Sequence, residues 1–165
     1  SGNVFSANGA TLNLSKTLGG LMATDINYQT NKKDPHVKVV AADAPVEDIL
    51  IVYSDGTNVA ANGTNNIDVD PDWYEDTTSP GISNQLAVAS NKWTNQLLVI
   101  FQDGRTNIQV GQFLYGSKAL ALAAIGTENY IVAPVIESLA VKRQWLTVNG
   151  AETDLTSVDT AFTEY

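Results

Sequence analysis

The sequence contains no cysteine. Disulfide staples, thiolate metal sites and thiol nucleophiles are thereby excluded, and the fold must hold by packing alone. His36 is the sole histidine. One chain therefore offers no metal site with two imidazole ligands, and a Ser-His-Asp set would have to use that residue, which otherwise reads as a polar strand start. There is no Gly-x-Ser-x-Gly elbow, and Gly19-Gly20 has neither the spacing nor the Lys of a phosphate loop. Two carboxylates can run glycoside hydrolysis, but 18 acidic residues supply many pairs and none stands out. The longest apolar run, Ala119 to Ile125, falls far short of a membrane span. The opening Ser-Gly carries no signal-peptide pattern. Charge is scarce as well: 16% of residues are charged, against roughly 25% in ordinary soluble proteins. These absences lead us to expect no enzyme, no cofactor and no membrane insertion.

What is present fits a binding or building role. With 165 residues, 44% of them hydrophobic, the chain can close a core of its own. Asn, Thr, Ser, Gln and Gly take the place of charge. They favour turns and strand faces over helices, and such a surface packs against neighbours without desolvating many charges. The net charge is −9, and nine of the 18 acids fall between Asp43 and Asp76, a stretch without Lys or Arg. That sign repels phosphate, which argues against direct nucleic-acid binding and against anionic membrane surfaces.

Strand signals dominate. We read strands at His36–Val40, Ile49–Tyr53, Leu97–Phe101, Ile108–Tyr115, Tyr130–Val132 and Trp145–Val148. Most of their residues are apolar or β-branched, and several stop at Asp-Gly or Asn-Gly. The runs Ile49–Tyr53 and Leu97–Phe101 are continuous, as in central strands buried on both faces. Ser117–Ile125 is a short helix candidate with a Ser cap and a Gly126 stop, although its alternating Leu120, Leu122 and Ala124 would also suit a strand. The tail from Asp154 to Phe162 is a candidate helical turn. We expect an all-β fold, mainly antiparallel, of β-sandwich, jelly-roll or Ig-like type with at most one or two short helices. A repeat-built fold is the alternative. The pairs Asn8-Gly9, Asp55-Gly56, Asp103-Gly104 and Asn149-Gly150 place their glycines 47, 48 and 46 residues apart (56 − 9, 104 − 56, 150 − 104), a period suited to a β-trefoil or propeller.

Residues 1–35 differ from the body at 36–165. Val4, Phe5, Leu12, Leu14, Leu21 and Met22 are scattered among neutral polar residues. Such a segment is either a first hairpin lying on the domain or an extended arm that pairs with a neighbouring subunit by strand addition. In the second case those six residues mediate assembly.

Two candidate sites fall in the acidic stretch. Asp68, Asp70 and Asp72 alternate as at the start of a calcium loop. The remainder of that motif is missing, since Trp73 stands at its glycine position and Ser79 at its bidentate Glu. An acidic, solvated loop is the plainer reading. Trp73, Tyr74 and Asp72 combine aromatic faces with a carboxylate, a set suited to stacking and hydrogen-bonding a sugar ring. Trp93 and Trp145 border apolar runs and read as core.

Lys142-Arg143-Gln144-Trp145-Leu146-Thr147, followed by Asp159-Thr160-Ala161-Phe162-Thr163, resembles the last strand and tail of avidin-type biotin binders. The likeness covers about the final 24 residues (142 to 165), and such a barrel needs about eight strands. The interval from Asp103 to Trp145 is too short for the strands that family places there, so we do not adopt it.

The function expected on these grounds is a structural subunit of a symmetric assembly, with copies of itself and other subunits as partners. A virus or phage particle is the leading setting, where the chain would serve as capsid decoration, tail tube or fibre. The alternatives are a glycan-binding or adhesive module and an extracellular filament or surface-layer subunit.

Overall fold

The computed structural model describes residues 2–23, 26 and 28–165; Ser1, Thr24, Asp25 and Asn27, all in the 1–35 segment, lie outside them. In chain order the strands are β1 (Phe5–Ala7), β2 (Leu14–Lys16), β3 (Gly19–Met22), β4 (Val37–Val40), β5 (Leu50–Val52), β6 (Asn58–Ala60), β7 (Trp73–Glu75), β8 (Gln85–Ala87), β9 (Trp93–Phe101) and β10 (Thr106–Gln109). Helices α1 (Lys118–Ala124) and α2 (Pro134–Leu139) follow, then β11 (Ala140–Asn149) and β12 (Ala161–Glu164).

Six strands form one open sheet in the order β12-β11-β9-β10-β5-β6. Its pairs are antiparallel except β10 with β5, where Ile108 lies opposite Ile51. The spine is the long β9–β11 ladder, running from Phe101 opposite Ala140 to Trp93 opposite Asn149, with a bulge at Arg143. The remaining strands form three two-stranded ribbons, β1–β2, β3–β4 and β7–β8.

Side-chain alternation divides the core into two layers. Ile51, Leu98, Ile100, Ile108, Leu146 and Val148 join one layer, Val52, Leu97, Val99 and Trp145 the other. The first is covered by Phe5, Leu14, Leu21 and Val40 of the β1–β2 and β3–β4 ribbons, together with Val46, Val69 and Leu155 from loops. The second is covered by Ala133 and by Ile136 of α2, and α1 lies against β9 and β11. Both continuous apolar runs are thus central strands covered on two sides, as their pattern implies. The fold is all-β and mainly antiparallel with two short α-helices among the described residues. Its second layer is three ribbons on one face and helices on the other, not one continuous facing sheet.

Ser117 caps α1, its hydroxyl accepting the Leu120 N–H at 3.3 Å. Three local readings are corrected. Tyr130–Val132 is not a strand. Gln112 accepts the Ile131 N–H and donates to its carbonyl, both at 2.7 Å, while Gln109 accepts the Ala133 N–H at 3.1 Å. Side-chain amides satisfy this backbone, so it needs no strand partner. Of Ile108–Tyr115 only the part inside β10 is regular strand, and Tyr115 returns to make a single bridge with Trp93. The tail is not a helical turn. Asp154 and Ser157 hold local turns through the N–H groups of Thr156 and Asp159, and the chain then pairs as edge strand β12.

The turn periodicity is real only at the turns. Asp55-Gly56 and Asp103-Gly104 share one geometry: glycine φ of 89° and 96°, and an Asp carboxylate accepting the N–H two residues on at 2.8 and 3.0 Å. Both positive φ values favour glycine. Their strands, however, meet as the parallel β10–β5 pair of one open sheet, which forms neither blades nor a threefold unit.

Residues 2–22 take the first-hairpin form, not the free-arm form. Phe5, Leu14 and Leu21 are buried in the same core as Leu98 and Leu146, and the Lys16 backbone exchanges 2.8 Å hydrogen bonds with Asp43. Small neutral residues around a few large apolar ones form a ribbon that closes the sheet's face.

Candidate functional site

The acidic stretch leaves β6 and returns as the β7–β8 ribbon, in which Trp73 pairs with Ala87 and Tyr74 with Leu86. Glu75 anchors the ribbon. Its backbone N–H donates to the Gly111 carbonyl at 2.8 Å. Its buried carboxylate accepts the Ser54 N–H at 2.9 Å, the Ser54 hydroxyl at 2.8 Å and the Gly81 N–H at 2.7 Å. A carboxylate tolerates burial when its lone pairs are filled in this way.

Between the ribbon and the sheet lies a cavity of about 270 Å³. Its apolar walls include Ile51, Val59, Ile108 and Val110, and its polar ones include Asp70, Gln96, Gln85 and Asn62. Trp73, 38% exposed, stands at the rim, and Tyr53 is buried beside it. Gln96 is only 1% exposed. Its Nε2 donates to the Asp70 carbonyl at 2.7 Å, which fixes the amide's orientation, and its Oε1 has no partner. The Asp70 carboxylate accepts the Asn62 amide at 2.9 Å and the Asp72 N–H at 3.1 Å.

Burial raises the Asp70 carboxyl above its ordinary range against the opposing pull of those two hydrogen bonds. The Tyr53 hydroxyl is pushed up to about 12, first by burial and then by the negative charge of Asp70 and Glu75. It is a neutral donor across the physiological range. Among the described residues no Lys or Arg lines the cavity.

The sequence-derived candidates disperse. Asp68 makes backbone bridges to Asn13 and Asn62, and its carboxylate stands where a side chain on Gly63 would go. Asp70 borders the cavity, and Asp72 is exposed. Among the described residues no three His, Asp or Glu side chains converge as a metal site, so the alternating aspartates do not form the calcium cluster their spacing suggested. Of the sugar-stacking trio only Trp73 lines the cavity; Tyr74 and Asp72, its neighbours on a strand with a two-residue period, do not. Tyr53, Asp70 and Gln96 replace them. Gln96 had one signal, an amide in the middle of a buried strand. Tyr53 had none beyond its place at a strand end.

Of the other tryptophans only Trp145 is core; Trp93, read as core from its apolar neighbours, is half-buried and outside both core layers. Trp145 is buried, with Tyr130 edge-on at 4.8 Å and Tyr165 stacked at 5.9 Å. Trp93 donates its indole N–H to the Asp159 carbonyl at 3.1 Å. The six assembly candidates split by burial. Phe5, Leu14 and Leu21 are core, Leu12 packs partly against it, and Val4 and Met22 are exposed. Residues already buried within the chain cannot dock on a neighbour without opening it, so the first three are withdrawn as contacts.

No protein-family model, curated protein or solved structure matches the chain.

Proposed function

We propose that the chain is a non-enzymatic structural subunit that assembles with copies of itself. A virus or phage particle is the leading setting, and an extracellular filament or surface layer the next. One observation carries the reading. The outer face of the β3–β4 ribbon presents Met22 and Val39 at 77% and 68% exposure, and Leu18 beside it is 62% exposed. A ribbon covering a sheet ordinarily turns a polar face to water, and clustered apolar exposure marks a contact surface. Charge permits a second copy as the occupant. In the β3–β4 connection Lys32 and Lys33 are balanced by Asp25 and Asp34, so the patch has a neutral flank that the acid-only stretch of another copy does not repel. An apolar patch with a neutral flank that meets a different surface of the next copy makes a head-to-tail contact, the type that builds rings or filaments.

Analytical ultracentrifugation across concentration tests this. The wild-type chain is expected to form a ring or filament, and Met22→Asp with Val39→Asp to return it to monomer with an unchanged thermal transition. A wild-type chain that stays monomeric at the highest concentration reached, at low and high salt alike, overturns the proposal.

A further inference from the structure

We infer that the cavity beneath Trp73 is a binding site for one neutral sugar ring, either a free monosaccharide or the terminal residue of a glycan. The inference does not rest on the assembly reading.

Three observations lead to it. First, the buried Oε1 of Gln96 has no donor, while its Nε2 is committed to the Asp70 carbonyl. A buried amide oxygen left unpaired destabilises the fold unless a bound group donates to it. Second, Tyr53 and Asp70 line the same space. A hydroxyl-rich ligand offers donors and acceptors to all three. Third, Trp73 at the rim and the Ile51, Val59, Ile108 and Val110 walls supply apolar surface. A pyranose has this dual character: one face of C–H groups for an indole, and an edge of hydroxyls for amides and a carboxylate.

Size and charge narrow the class. The volume of about 270 Å³ lies just under the range of roughly 300–1,000 Å³ usual for ligand pockets, so one ring is accommodated and not a disaccharide. Asp70 in the wall and the absence of Lys and Arg among its described residues disfavour phosphate and acidic sugars. A quaternary ammonium cation would also suit an aromatic beside a carboxylate. The partnerless amide oxygen of Gln96 calls for a hydrogen-bond donor, which such a cation lacks.

The experiment is ligand-observed NMR, followed by calorimetric titration, of the full chain with the methyl glycosides of glucose, galactose, mannose and N-acetylglucosamine, and with tetramethylammonium as a competing probe. At least one glycoside is expected to bind saturably, on the order of millimolar for a single ring. Trp73→Ala, at a part-exposed position, should keep the thermal transition and weaken binding at least about tenfold. Gln96→Leu should weaken binding as well by removing the amide oxygen, with a lower thermal transition because the Asp70 carbonyl loses its donor. Repeating the titration on monomeric Met22→Asp/Val39→Asp protein separates ligand binding from assembly. Absence of saturable binding for all four glycosides overturns the inference. So does binding that is undiminished in folded Trp73→Ala, and so does uptake of tetramethylammonium in preference to every sugar.

Discussion

Glu75 on β7 accepts both the backbone N–H and the side-chain hydroxyl of Ser54, 21 positions earlier in the chain, at 2.9 and 2.8 Å. The contact fastens the β7–β8 ribbon to the turn that follows β5, and the Gly81 N–H completes it. Glu75→Ala would leave three buried donors without an acceptor. We expect a loss of about 3–5 kcal/mol, read from chemical denaturation with an unchanged m-value. Glu75→Gln keeps one acceptor oxygen and should fall between the two. An alanine variant within about 0.5 kcal/mol of wild type would show that the ribbon is held by something else.

The N-terminal segment is expected to be indispensable for folding. Phe5 and Leu14 are 1% and 0% exposed and pack in the main core. Deleting residues 1–28 would strip the apolar cover from one face of the central sheet. Circular dichroism of the truncated chain should show no cooperative thermal transition, and Phe5→Ala alone should cost about 3–5 kcal/mol. A truncated chain that melts cooperatively near the wild-type temperature would restore the free-arm reading.

The two central strands make the simplest check of the fold. Ile51 is 6% exposed and Val99 0% exposed, on opposite faces of the sheet. Alanine at either position should cost about 2–4 kcal/mol. Because the two layers are separated by the sheet, the double variant should lose close to the sum. Strong non-additivity would mean that the layers communicate through the strands.

Continuous apolar runs announced β5 and β9 because a strand covered on both faces has no polar side to display. The Ser117 cap announced α1 for an equally local reason. Tyr130–Val132 looked like a strand because its residues are β-formers, but its backbone partners are the side chains of Gln109 and Gln112, a long-range substitution with no local signature. α2 went unread for a similar reason: it is 6 residues long, too short for helical periodicity to emerge. At the site, Trp73 was legible as an aromatic among acids. Tyr53 and Gln96 reach it from other parts of the chain by sheet registry, which only the folded arrangement reveals. The N-terminal ribbon was legible in composition and ambiguous in destination, since the same sparse apolar residues can close their own core or a neighbour's.

Asp70 gives the site a measurable dependence on pH. Burial raises its folded-state pKa above that of the unfolded chain, so the native state binds the proton more tightly. Protonation then contributes stability that is fully present below the ordinary carboxylate range and is lost as pH rises through the elevated folded value. At neutral pH the ionised group therefore weighs against folding. Asp70→Asn removes the charge and keeps one acceptor oxygen, enough for either the Asn62 amide or the Asp72 N–H, which use different oxygens of the carboxylate. The variant should melt higher than wild type at about pH 7, and the gap should close by about pH 3, where Asp70 itself is neutral. Thermal melts of both proteins across that interval supply the test. If the variant melts lower at neutral pH, the two hydrogen bonds to the carboxylate outweigh its burial, and Asp70 enters the cavity as a stable anion. In that case the ligand edge facing it must supply hydrogen-bond donors only, which favours a sugar's hydroxyl groups over any acceptor-only ligand.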